Sequence, residues 1–177
     1  MRFWMGMVAA VTVAAPVAAQ AQVAKTIRLE TGETVTILVG GGATVAARGP
    51  GTATALDRAV MQKASNGAAA DATGSNSAEI TRDGMPAAAP IRPNAVKLTL
   101  LPVPGTEHRL LVIENGYAQA FTYRATVQSG DRSVATDVCQ VIPARRGYEH
   151  WPYRFDALTL SNIHLESLAP GAAVRCE

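Results

Sequence analysis

Between Val96 and Leu168 the sequence consists of short alternating stretches separated by turn dipeptides. This pattern constrains the fold more than any other feature. Val96–Val103 alternates Val96, Leu98 and Leu100 with Lys97 and Thr99, and Pro104-Gly105 follows as a turn signal. Arg109–Glu114 is apolar enough for a central strand and ends at the turn dipeptide Asn115-Gly116. Phe121–Gln128 sets Phe121, Tyr123, Ala125 and Val127 against Thr122, Arg124 and Thr126, and Gly130-Asp131 turns the chain again. Ser133–Ile142 reads as one strand or two broken ones, and Pro143–Gly147 as a loop. Leu158–Leu168 carries Leu158, Leu160, Ile163 and Leu165, with a bend or bulge at Ser161-Asn162. Ala172–Cys176 is compatible with a last short strand. Strands this short, with turns roughly every 8–12 residues, fit two packed antiparallel sheets, and too little helix lies between them for a parallel sheet. The expected fold is mainly β: an antiparallel β-sandwich of immunoglobulin- or fibronectin-like shape, with one short helix and a long flexible insertion.

The residues before Val96 add less to such a core. Ile27 and Leu29, then Val35, Ile37 and Val39, alternate on either side of Thr31-Gly32, which predicts a β-hairpin over 26–39. Gly40-Gly41-Gly42 breaks the run, and Ala43–Arg48 is a weak third strand. The triple glycine lacks the Lys and spacing of a phosphate loop and reads as a bend. Thr52–Ala64 has helical spacing, with Leu56, Val60 and Ala64 in line and Thr52 or Thr54 as cap. From Ser65 to Asn94 the only larger apolar residues are Ile80, Met85 and Ile91. Such a stretch buries too little surface to offset its ordering entropy, so a mobile loop is expected, extended over Pro86–Pro93. The expected organisation is a signal peptide over 1–21, a β-hairpin region over 22–50 that joins the sandwich, the helix and insertion over 51–95, and the sandwich core over 96–177.

Apolar residues make up 48% of the 177 positions, but 33 of the residues are Ala, so the capacity to build a core is smaller than that figure suggests. Arg2 opens the chain, Phe3–Val17 is nearly all apolar or small, and Ala19-Gln20-Ala21 follows. That order is the order of a secretory signal peptide, cleaved after Ala21 or Ala19. The apolar run is short for a bilayer span, and Pro16 breaks it. No transmembrane segment is therefore expected after cleavage, and the mature chain is expected in the periplasm or outside the cell. Two cysteines, Cys139 and Cys176, remain in the mature part. In an oxidising compartment an even count predicts a disulfide.

All seven aromatic residues of the mature chain fall between Tyr117 and Phe155. Phe121, Tyr123 and Phe155 sit in strand patterns and read as core. Arg145-Arg146-Gly147-Tyr148-Glu149-His150-Trp151-Pro152-Tyr153 is different, because it joins aromatic, basic and acidic residues in an expected loop stiffened by Pro143 and Pro152. One reading is a binding surface made of Arg145, Arg146, Tyr148, Glu149, His150, Trp151 and Tyr153. Its aromatic faces would take sugar rings or peptide side chains. The other is a structural corner in which Trp151 and Tyr153 plug the end of the sandwich and Glu149 pairs with an Arg. The function expected is that of an exported binding module without enzymatic activity, whose partner is another envelope protein, a glycan or a peptide. The alternatives are an assembly role through an exposed strand edge, or a small hydrolase using Glu149 or His150. No GxSxG, HExxH or SxxK motif is present, and His108, His150 and His164 lack metal-ligand spacing, so neither cofactor nor metal is expected. Thirteen Arg and three Lys against 14 acids, spread along the chain, argue against a nucleic-acid partner.

Overall fold

The computed structural model describes residues 23–66, 85–169 and 171–177. The expected signal peptide and most of the expected insertion lie outside the described residues. Ten strands and one helix follow in order: β1 (Val23–Ala24), β2 (Thr26–Glu30), β3 (Glu33–Val39), β4 (Ala43–Pro50), α1 (Ala55–Ser65), β5 (Val96–Pro102), β6 (Arg109–Asn115), β7 (Ala120–Ser129), β8 (Arg132–Thr136), β9 (Arg146–Trp151) and β10 (Ala157–Glu166). They form two antiparallel sheets, a six-stranded one ordered β1-β4-β3-β5-β6-β9 and a four-stranded one ordered β2-β10-β7-β8. The expected sandwich is thus the observed architecture. Its core is one cluster fed from both sheets: Val35, Ile37, Leu98, Leu100, Leu111 and Ile113 from the larger, and Ile27, Leu29, Phe121, Tyr123, Leu158 and Leu160 from the smaller.

The hairpin expected over 26–39 is not formed. β2 pairs with β10 in one sheet, and β3 pairs with β4 and β5 in the other. Thr31-Gly32 is a corner between the sheets. The Thr31 N–H donates to Asp156 O at 3.2 Å on the small-sheet side, and the Gly32 N–H donates to Leu100 O at 2.7 Å in β5. Gly32 sits at φ +88, a conformation that glycine adopts without a Cβ penalty. Alternation cannot tell the two arrangements apart, because the apolar side chains of β2 and β3 face the same core from opposite sheets. The hairpin of this region is β3–β4, closed across Gly40-Gly41-Gly42. Asn115-Gly116 is likewise a crossing from one sheet to the other. The fully buried Asn115 side chain donates to Gln119 O, Val141 O and Ile142 O and accepts from the Tyr117 N–H. The bulge expected at Ser161-Asn162 is present, with the register of β10 shifting between Ser161 and His164 and Asn162 at φ +49. No last strand forms over 172–176; Cys176 makes an isolated bridge with Cys139.

α1 covers the outer face of the large sheet. Thr54 caps it in a capping box with Asp57, in which the Asp57 N–H donates to Thr54 Oγ1 and the Thr54 N–H donates to Asp57 Oδ2. Leu56, Val60 and Met61 pack on Leu101, Val103, Leu110, Val112 and Tyr148. The large sheet is therefore buried on both faces where α1 lies on it. Met85 and Ala88 join the same cluster from the strand-free approach to β5. Among the described residues no helix is long and apolar enough to cross a membrane.

Candidate binding site

Arg146–Trp151, expected in a loop, is strand β9 at one edge of the large sheet. Its side chains alternate between two unlike surroundings. On the outer face, Arg146 pairs with Glu114 while only 2% exposed, and Lys97 joins the same carboxylate at 2.9 Å. Tyr148 donates to Asp57 Oδ1 at 3.3 Å, and burial beside that carboxylate raises its pKa strongly. His150 meets His108. On the inner face Glu149 and Trp151 point into the sandwich. Trp151 packs edge-on against Phe155, with centroids 5.4 Å apart, and donates to Thr136 Oγ1 at 2.7 Å. Glu149 pairs with no Arg there. Its Oε1 accepts from the Cys139 N–H at 2.7 Å and from the Tyr123 hydroxyl at 3.4 Å. Burial pushes its pKa up to about 7 against the lowering pull of those two bonds. The period-two signal of β9 was invisible because polar residues are buried on both of its faces.

The seven residues singled out in sequence are thus not brought to one surface. Arg146 and Tyr148 lie under α1 and its flanking loop, Glu149 and Trp151 lie in the core, and Arg145 is exposed beyond the strand. Glu149 and His150 stand on opposite faces of β9. Tyr153 alone presents a large apolar face, 44% exposed. It sits in a different place, against the edge of the small sheet.

That edge is β8. It pairs with β7 on one side only, and Arg132, Ser133, Val134 and Ala135 are all exposed. The hairpin turns through Gly130-Asp131, with Gly130 at φ +55, and Ser129 faces Arg132 across it. Counting the ladder from this two-residue turn, Arg132, Val134 and Thr136 bond to β7, while the backbone groups of Ser133 and Ala135 point outward. Val134 lies opposite Val127 and faces inward like it, yet is 58% exposed. Beside it a groove of ≈ 370 Å³ is lined by Val127, Ser129, Arg132, Val134, Tyr153, Arg154 and Phe155. Of the three exposed large apolar residues described, two, Val134 and Tyr153, line this groove. Its charged lining residues are both basic, Arg132 and Arg154.

The same side of the small sheet already carries an added strand segment further along. Val141 exchanges backbone bonds with Phe121 of β7, so 138–141 continues the line begun by β8. On its outer side Val138 exchanges bonds with Glu177, and the Gln140 N–H donates to Arg175 O. The Cys139–Cys176 disulfide, foreseen from the cysteine count, locks this pairing. Arg124–Glu177 and Arg175–Glu166 ion pairs flank it. No protein-family model matches the chain, and no curated protein or solved structure matches it either.

Proposed function

We propose that this chain is an exported β-sandwich binding module that takes an extended segment of a partner protein along the free edge of β8. The observation that carries this reading is the conjunction of a solvent-exposed strand, whose outer edge has no partner among the described residues, with an apolar groove on its inward side. A strand laid against β8 would bond to the outward groups of Ser133 and Ala135. It would place every second side chain in the groove, over Val127, Val134 and Phe155. Arg132 and Arg154 at the groove favour a partner strand whose apolar residues are flanked by acids. The C-terminal segment paired to 138–140 supports the reading, because it adds an extended stretch of chain to the same edge by the same kind of backbone bonds. Export is supported by the signal-peptide pattern of residues 1–21 and by the disulfide.

The test uses a fluorescent peptide in which Val alternates with Thr and Glu, titrated by anisotropy into wild type and two variants. Ala135→Pro removes an outward N–H and leaves the β7 ladder intact. Val134→Lys puts a charge in the groove. Binding by wild type that weakens at least about tenfold in both variants, with melting temperature retained, supports the proposal. Equal binding by Ala135→Pro, or none by wild type, overturns it. A wild-type dimer that Ala135→Pro dissociates would replace the partner strand with a second copy of this chain.

A further inference from the structure

We infer that His108 and His150 form a two-imidazole chelate for a late first-row divalent metal ion, with Cu²⁺ held most tightly. The site is independent of the β8 edge. His150 stands on the outer face of β9, and His108 immediately precedes β6. The register Arg109↔Trp151 and Leu110↔His150 makes the two histidines diagonal neighbours on adjacent strands. Their rings are 5.0 Å apart and tilted by 60°, and His108 Nδ1 lies 3.1 Å from His150 Nε2. Metal–imidazole bonds of about 2.0–2.1 Å, meeting at a right or tetrahedral angle, hold their nitrogens about 2.8–3.4 Å apart. The observed 3.1 Å belongs to a ring N–H···N hydrogen bond and falls within that range, so an ion would take the place of the proton shared between the two nitrogens.

The surroundings suit such an ion. Both rings are partly exposed, which leaves room for water or an outside ligand on the remaining positions. Glu149, the nearest acid on β9, points to the other face, and Glu107, next to His108, is loosely paired with Arg154 at 3.9 Å. Both cysteines are consumed in the disulfide, so no thiolate competes for the metal. Among the described residues no group of three or more His, Cys, Asp or Glu converges, so the other positions on the ion fall to water or an outside donor. Paired imidazoles without thiolate favour Cu²⁺ over Ni²⁺ and Zn²⁺ in the usual stability order.

Calorimetric titration of the full chain with CuCl₂, and separately with ZnCl₂, tests the site. It is accompanied by electron paramagnetic resonance of the Cu²⁺ form. The expected result is one Cu²⁺ per chain with a two-nitrogen signature, and weaker Zn²⁺ binding. His108→Ala, His150→Ala and the milder His150→Asn should each weaken Cu²⁺ at least about tenfold, while His164→Ala on β10 leaves it unchanged. Undiminished Cu²⁺ affinity in a folded His108 or His150 variant, or a spectrum without two nitrogen ligands, would overturn the assignment.

Discussion

β9 and β8 are both edge strands, each paired to a neighbour on one side, yet their surroundings are opposite. Every residue of β9 except His150 is buried, because α1 covers its outer face and the small sheet covers its inner face. Four of the five residues of β8 are exposed and the fifth is half-buried. Aromatic and charged residues crowd β9, and there they brace the fold. β8 has no aromatic residue, and it carries the open edge. A cluster of interaction-prone side chains therefore does not by itself mark a binding surface. What matters is whether a second layer already occupies those side chains.

The largest effect expected from breaking this contrast is at Trp151. Trp151→Ala removes a core ring and its bond to Thr136, and should cost about 3–5 kcal/mol, read as a large fall in melting temperature. A stability within about 1 kcal/mol of wild type would mean that β9 is not braced as described. Next is the staple beside the open edge. Replacing Cys139 and Cys176 together with Ser frees a sequence separation of 37 and should cost ~4 kcal/mol in denaturant unfolding. Amide exchange at Val138 and Gln140 should rise with it, because the C-terminal segment loses its anchor.

Glu149 offers a pH test of the buried strand. Its pKa in the fold, about 7, stands above the ordinary 4.5, so the native state holds the proton more tightly than the unfolded chain. Stability should therefore fall as pH rises from 4.5 toward 7 and stay low above it. Glu149→Gln should remove that slope. The difference in stability between variant and wild type should then change by up to ~3 kcal/mol across the window, with the variant favoured at the alkaline end. A parallel pair of pH–stability curves would refute this. The smallest effect belongs to β8. Ala135→Pro should shift stability by less than about 1 kcal/mol, since the donor it removes faces water. A cooperative collapse on that substitution would show that the edge is structurally engaged after all.

Much of the fold was legible in sequence because antiparallel strands with one buried face write their period directly. β5, β6, β7 and the bulged β10 are read that way; α1 is read from its 3.6-residue spacing with Thr52 or Thr54 as cap, of which the structure uses Thr54, and the disulfide from the cysteine count. β9 was missed as a strand because Arg146 and Glu149 are buried in polar partnerships, which breaks the apolar alternation. Of the candidate site, only Tyr153 was legible. Val134 and Arg132 carried no signal, since nothing local distinguishes an edge strand from a central one.

Local sequence sets where most strands and turns fall, which residues are apolar enough for a core, and that two cysteines are available to each other. Tertiary structure alone decided how those pieces were shared between sheets. It sent β2 and β3 to opposite layers across Thr31-Gly32, buried β9 beneath α1, and left β8 uncovered. The physical reason is that alternation specifies a face but not a neighbour. Pairing is settled by backbone bonds between residues far apart in the chain, and these leave no trace in any one segment.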